Sequence, residues 1–393
     1  MSNVTDKIHP LRDWLLHQGR YIDGFETFSE ELALTLNRCG FDICRLNLGA
    51  FLLHPDIAGV AFQWYSHSNS VLAIPVAHAD LQQPAYLQSP IRAAVHDNRV
   101  IRIRIEEATQ QYPFPVIKEF EKDGITDYAV LPLPGAKGRT NVWSIGTRNP
   151  EGFSDKQWQI LQDFSLYLSL VVDYLAVQWL AGVLMEVYLG QRTGKRVWNG
   201  QVKRGDGQRI KAALWYCDMR GFTQLSNTMP PEELIILLNE YFGHLGPAVH
   251  AHGGEILKFI GDAILAVFPV NEDTGDLNEA CSQCLRAAQG AHQNLSVWSQ
   301  KRIEQGDLPI ESGIGLHLGE VVYGNIGTEG RLDFTVISEA VNQVARVEGM
   351  CASLGHPLLA TKEFVAHIPN PNHSLGSFSL KGIENPVEIF ELH

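Results

Sequence analysis

Cysteine is scarce and scattered: six in 393 residues, at Cys39, Cys44, Cys217, Cys281, Cys284 and Cys351. That spacing excludes a disulfide framework of the secreted type. Cys281 and Cys284 make one CxxC, but no second pair completes a zinc site. Both fall in a helically periodic run, Leu277 to Gln289, where two small residues on one face is the expected reading. A spanning helix needs roughly 20 apolar residues in a row, and no such run occurs. The richest stretch, Phe164 to Leu189, is interrupted by Asp173, Gln178 and Glu186. Met1 to Asp13 is polar and lacks the apolar segment of a signal peptide, so a cytoplasmic location is expected. There is no GxxxxGK[ST] loop; "QRTGKR" lacks its leading glycine and terminal hydroxyl, which opposes a P-loop kinase or NTPase. Positive charge is also short. A net charge of −13 opposes non-specific binding to nucleic acid or to an anionic membrane.

What is present suits a folded chain: 45% hydrophobic and 19% charged residues, with length for two domains and a connector. In residues 1–155, Phe25 to Asn37, Pro90 to Asp97 and Pro115 to Lys122 carry helical spacing. Phe41 to Leu53, Gly59 to Tyr65, Val100 to Ile105, Tyr128 to Leu133 and Asn141 to Thr147 read as strands. Gly152-Phe153-Ser154-Asp155 then opens a long helix, with Ser154 as N-cap and Asp155 in the first turn. This order, and the ending "SIGTRNPEGFSDKQWQILQDF", resembles a GAF-type α/β sensor domain. No residue there names its signal. Cys39 and Cys44 read as buried structural thiols, not chromophore anchors, and His67, His78 and His96 are not expected to be haem ligands.

The exit helix, about Asp155 to Tyr188, repeats apolar residues three or four apart. Leu161, Phe164, Leu168, Val172, Leu175, Trp179, Val183 and Val187 form a seam suited to a parallel dimeric helix. "YLGQRTGKRVWNGQVKRGDGQR" is polar and glycine-bearing, and reads as a connector. Residues 156–208 thus form a helical linker, and 209–393 a second domain.

The chemistry lies in that domain. An apolar strand, Ala212 to Tyr216, runs into Asp218 before Gly221 breaks the chain. A carboxylate at a buried strand end is costly unless a cation or donors pair with it. Later, in "EILKFIGDAILAVF", two apolar strands flank Gly261-Asp262, a hairpin signal. If the strand of Asp218 pairs with this hairpin, both carboxylates meet at one sheet end, as two hard cations ~3.5–4 Å apart require. Further on, Leu332 to Ile337 reads as a strand and Ser338 caps a helix with Glu339 in its first turn. Asn342 and Arg346, four apart, share a face of that helix and suit a sugar oxygen and a phosphoryl group.

"CDMRGFTQLS", "GGEILKFIGDAILAVF", "GIGLHLGEVVYGNIG" and "DFTVISEAVNQVARVE" resemble, in order, the signatures of class III nucleotide cyclases. The closing "FSLKGIENPVEIFEL" resembles the end of that domain. The resemblance implies an α+β chain: a ferredoxin-like cyclase catalytic domain, preceded by the GAF-like domain and helical linker. It implies two divalent ions (Mg²⁺ or Mn²⁺) on Asp218 and Asp262, assisted by the Met219 carbonyl. Lys258 and Thr335 would select the base, Asn342 would orient the ribose, and Arg346 would stabilise the transition state. Gly221, Phe222 and Thr223 would hold the terminal phosphates through backbone amides, with Lys381 also reaching the triphosphate. The family's site is shared between two catalytic domains; this chain has both halves, implying a homodimer with two equivalent sites.

A lysine ammonium only donates hydrogen bonds. It suits the acceptor N1 of adenine and opposes the N1–H of guanine, while the Thr335 hydroxyl accepts from the adenine amino group. ATP is therefore the expected substrate, converted to cyclic AMP and pyrophosphate. Two departures stand out: Thr335 where many relatives have Asp, which marks a Lys/Thr subgroup often bicarbonate-responsive, and Ser338-Glu339 where they have Gly-Asp. The alternatives are a guanylate cyclase, opposed by Lys258, and a silent nucleotide-binding dimer, opposed by the intact metal ligands.

Overall fold

The computed structural model describes residues 5–392, apart from 52–53, 56, 69, 106–111, 136–137, 202, 204–206, 272–273 and 370–372. Two compact units divide it, Met1–Leu184 and Met185–His393.

The first unit opens with helices α1 (Thr5–His17) and α2 (Phe25–Arg38). Antiparallel strands β1 (Ile43–Phe51), β2 (Ile57–Tyr65) and β3 (Ser70–Ala77) follow. Helices α3 (Pro84–Leu87) and α4 (Pro90–Asp97), strand β4 (Ile101–Arg104) and helix α5 (Ile117–Lys122) come next. Strands β5 (Asp127–Pro134) and β6 (Thr140–Thr147) complete a sheet of order β3-β2-β1-β6-β5-β4 before α6 (Asp155–Leu189) departs. Strand β3 escapes the sequence reading because Pro75 interrupts it. It is an edge strand, where a missing N–H is tolerated.

Two apolar clusters serve this unit. One gathers Leu11, Phe28 and Leu32 with Leu161 and Phe164; the other gathers Ala94, Ile117 and Phe120. The expected cap of α6 is present: Ser154 Oγ accepts from Gln157 N–H (3.3 Å), and Gln157 Oε1 accepts from Ser154 N–H (2.9 Å). Buried Asp127 fixes the approach, accepting from Phe153 N–H at 2.9 Å and pairing with Arg102 at 2.8 Å.

The seam on α6 needs correction. Leu161, Phe164, Leu168, Val172 and Leu175 are buried in the first unit's own core, so they are not free to face a second helix. By length and composition alone α6 would suffice to cross a membrane; one stripe of it, with Ile160, Leu161, Phe164, Leu168, Val172 and Leu175, serves that core, while Leu166, Leu170 and Tyr174 are exposed. Cys44 is buried as expected; Cys39 is instead exposed at the end of α2. His67, His78 and His96 are exposed.

In the second unit the segment read as a connector holds a helix, α7 (Gln191–Trp198), though 202 and 204–206 of that segment lie outside the described residues. Its first amides need acceptors, and a distant strand supplies one: buried Glu255 accepts from Arg192 N–H (3.1 Å) and Thr193 N–H (3.3 Å). Strand β7 (Gly207–Met219), helices α8 (Phe222–Thr228) and α9 (Pro231–Ala251), and the hairpin β8 (Glu255–Ile260) and β9 (Ala263–Pro269) follow. Helix α10 (Leu277–Glu304) leads to a second hairpin, β10 (Ser312–Thr328) and β11 (Arg331–Ile337). Helices α11 (Glu339–Gly349) and α12 (Cys351–Leu354), strand β12 (Leu358–Thr361), helix α13 (Lys362–Val365) and strands β13 (His373–Phe378) and β14 (Val387–Glu391) close the unit. The sheet runs β13-β14-β12-β10-β7-β9-β8, with β11 paired to β10. Helices α9 and α10 share one apolar cluster with Ala213 and Trp215 of β7, and α11 shares another with Ala212 and Leu214. Successive residues of β7 thus alternate between two cores. Cys281 and Cys284 are wholly buried in the first of these, where burial pushes the Cys281 thiol up to about 12, far from reactive.

Candidate active site

Strand β7 pairs antiparallel with β9, Cys217 standing opposite Ile264. Asp218 is one step beyond, and Asp262 sits just before β9 in the turn opened by Gly261, whose φ of 66° suits glycine. The two aspartates therefore meet at one end of the sheet, as the strand pairing expected from the sequence requires. Burial, and then the adjoining Asp218 carboxylate, push Asp262 up to about 7; backbone N–H groups of Asp262 and Met219 donate to it and oppose the rise. Burial followed by the charges of Asp218, Glu348 and Asp262 also pushes up the Tyr216 phenol. Negative charge is concentrated here. Two carboxylates so close, beside a backbone turn, form a donor set that fits hard divalent cations.

Met219 is buried between them in sequence, and Gly221, at φ 71°, turns the chain into α8. Phe222 and Thr223 occupy the first turn of that helix.

Helix α11 begins as expected: Ser338 Oγ accepts from Val341 N–H at 3.3 Å. It buries Ala340, Val344, Val347 and Glu348 and leaves Asn342 and Arg346 exposed. Among the described residues, no hydrogen bond or ion pair joins that exposed pair to Asp218 or Asp262 in the same chain. Lys258 lies on β8 and is ion-paired with Asp333 of β11. Thr335 is two residues beyond Asp333, on the same face of the strand. Lys381 is exposed in the turn between β13 and β14, at the sheet edge opposite β8, so the single chain does not bring it to the aspartates.

Sequence reasoning missed three participants: Arg220, Glu348 and Asp333. Arg220 and Glu348 are ion-paired, Nη1 to Oε1 3.3 Å, beside the two aspartates. Burial pushes Glu348 up to about 7, with Arg220 opposing and both aspartates reinforcing. A signal for Glu348 was there: it is a lone acid on the face of α11 that holds Val344 and Val347. Asp333 gave none, because its partner is 75 positions away.

Residues 208–357 match the family model described as the adenylate and guanylate cyclase catalytic domain. An adenylate cyclase of Anabaena cylindrica is 36% identical over 192 residues, which are 48% of this chain and 36% of that protein. Adenylate cyclase 1 of Rhizobium meliloti is 30% identical over 186 residues, 47% of this chain and 28% of that protein. The chain thus spans about a third of the length of these relatives. Among solved structures, an adenylyl cyclase from P. aeruginosa is 29% identical, with a TM-score of 0.43, over 47% of this chain and 95% of that one. A guanylyl cyclase is 32% identical, with a TM-score of 0.41, over 47% and 92%. The second unit of the chain therefore carries an adenylate and guanylate cyclase catalytic domain, at residues 208–357.

Proposed function

We propose that the chain is an adenylate cyclase, a homodimer that converts ATP to 3′,5′-cyclic AMP and pyrophosphate under the control of its N-terminal unit. The meeting of Asp218 and Asp262 at the sheet end, within a cyclase catalytic domain, carries this reading.

Asp218 and Asp262, with the Met219 carbonyl, would hold two divalent ions, Mg²⁺ or Mn²⁺, which when bound activate the ribose 3′-hydroxyl and neutralise the triphosphate. The protein's residues do the rest. Backbone amides of Gly221, Phe222 and Thr223, at the opening of α8, receive the terminal phosphates, with Lys381 as a further cation. Asn342 orients the ribose so that its 3′-oxygen faces the α-phosphorus. Arg346 meets the charge that grows on the phosphoryl oxygens. Lys258 donates to adenine N1, and Thr335 accepts from the amino group. Guanine offers a donor where Lys258 also donates, and a mispaired buried polar group opposes it.

Asn342 and Arg346 are exposed and, among the described residues, make no hydrogen bond or ion pair with the aspartates of their own chain, which supports a site completed by a second copy. So do the exposed apolar residues around it: Phe259 and Ile260 beside the Asp262 turn, and Leu332 and Ile337 flanking Thr335. For the first unit we propose a GAF-type sensor role, on the strength of its helix and strand order and the "GFSD" entry to α6. A cytoplasmic location is part of the proposal, and the seating of Leu161, Phe164, Leu168, Val172 and Leu175 of α6 in that unit's core supports it.

Incubating the purified chain with Mg²⁺ or Mn²⁺ and either ATP or GTP, then measuring cyclic nucleotide and pyrophosphate, tests the reading. Cyclic AMP in clear excess is expected. Cyclic GMP alone would make it a guanylate cyclase, and no product from either nucleotide would make it a silent binding dimer.

A further inference from the structure

Arg220 directly follows Met219, and its own N–H is anchored on the Glu311 carbonyl at 2.8 Å. Its side chain reaches Glu348, which lies on α11 and is 3% exposed. The chain clears space for this pair. Gly313 of β10 stands opposite Asp218 in register, and a Cβ there would collide with Arg220 Nη2 and Glu348 Oε1. Two residues on, Gly315 seats the helix: a Cβ would lie 2.6 Å from Glu348 N and 2.7 Å from Val344 O. Glycines on one face of β10 thus let α11 press onto the sheet and let the ion pair cross to the turn after β7.

Stability alone is a poor reason for such a pair. Removing two charges from water offsets most of their attraction, so an apolar pair of similar volume would hold the fold as well or better. The pair is a single 3.3 Å approach, with Arg220 Nη2 and Glu348 Oε1 making no hydrogen bond among the described residues, so what it adds is a mutual attraction that holds two elements together across a gap cleared by glycine. The elements it joins are the turn that carries Asp218 and the helix that exposes Asn342 and Arg346.

We propose that Arg220, through Glu348, is a positioning residue that fixes the helix of Asn342 and Arg346 relative to the turn of Asp218 and Asp262. The inference rests on the cyclase reading above. In a homodimer with shared sites, the two ends of this strut serve different sites: the aspartates of one copy act with the Asn342 and Arg346 of the other. Each protomer then joins the metal half of one site to the phosphoryl-binding half of the next.

The full chain carrying Arg220→Met together with Glu348→Leu separates positioning from folding, because it leaves no buried charge unpaired. Its thermal midpoint is expected to stay near the wild-type value, whereas either single change lowers it. Mn²⁺ affinity, read without nucleotide from the free-ion paramagnetic resonance signal, is expected to fall about tenfold. The kcat should fall about tenfold to a hundredfold with KM for ATP little changed, and Arg220→Lys should recover part of the loss. A double variant that keeps wild-type Mn²⁺ affinity and kcat would overturn the proposal, leaving the pair a packing feature. Should the wild-type chain form no cyclic nucleotide, the cyclase reading fails, and the Mn²⁺ titration alone still decides: unchanged affinity overturns the positioning role, and weakened affinity supports it.

Discussion

Lys258 on β8 is ion-paired with Asp333 on β11, two residues before Thr335 on the same face of that strand. Both side chains are well exposed, 43% and 54%, so solvent screens their attraction. The pair's main effect is on direction: it holds the ammonium of a flexible four-carbon side chain toward β11, where Thr335 lies.

This gives a graded prediction. Lys258→Glu replaces a donor by an acceptor, and kcat/KM for ATP should fall at least about a hundredfold while the preference shifts toward GTP. Asp333→Asn leaves Lys258 in place, and an exposed pair is worth under about 1 kcal/mol, so KM for ATP should rise by no more than about fivefold with kcat retained. Steady-state rates with both nucleotides check the two together. Unchanged discrimination in Lys258→Glu would remove Lys258 from base selection.

Arg346→Ala tests charge stabilisation in the transition state. Arg346 is exposed on α11 and none of its neighbours in the apolar core depends on it, so the thermal midpoint should hold. Losing a preorganised donor of this kind lowers kcat by about 10²–10³. A rate within a few-fold of wild type would show that Arg346 does not meet the reacting phosphoryl group.

Residues close in sequence were the legible ones. Ser338 capping α11, the turn at Gly261-Asp262 and the i, i+4 pairing of Asn342 with Arg346 follow from local geometry, and each is where the spacing places it. Three features resisted, for one shared reason. The helix α7 carries Thr193 and Gly194, both poor helix formers, at its middle, and Glu255 caps it from β8 while Gly194 lets it approach the backbone of Met185 and Glu186. The apolar repeat on α6 is the same whether it faces a second helix or its own domain, and only the fold shows that Leu161, Phe164, Leu168, Val172 and Leu175 face inward. Arg220, Glu348 and Asp333 act through partners many positions away. Periodicity reports that a face is buried, and says nothing of what buries it.

Complementation checks the shared site. Asp218→Ala removes a carboxylate from the sheet end, and Asn342→Ala removes an amide from α11; each alone should be nearly inactive. Mixed, they form hybrid dimers in which one site has lost both groups and the other has lost neither. Random pairing makes about half of the dimers hybrids, each with one of two sites intact, so about a quarter of wild-type activity is expected on mixing. Activity no greater than the sum of the separate variants, in a mixture shown to exchange subunits, would mean that each chain builds its site alone.

A pH effect on stability follows from His317, which is remote from the reacting groups in function but buried in the same sheet. Its Nδ1 lies 2.8 Å from Thr361 Oγ1, and Glu363 is 3.9 Å away. Burial lowers its pKa to about 4 against an ordinary 6.5, with Glu363 opposing. In the folded chain the ring therefore stays neutral where the unfolded chain already binds a proton. Between those two values unfolding takes up protons, so stability is whole above about pH 6.5 and falls as pH drops toward 4. The full contribution is about 3 kcal/mol. Asp262 and Glu348, both raised to about 7, act in the opposite direction, since they bind protons more readily when folded. Comparing wild type with His317→Gln cancels them, because both chains carry both carboxylates. Urea midpoints from pH 7.5 to 5 should fall more steeply for wild type than for the variant, and parallel curves would show that His317 titrates as an ordinary histidine.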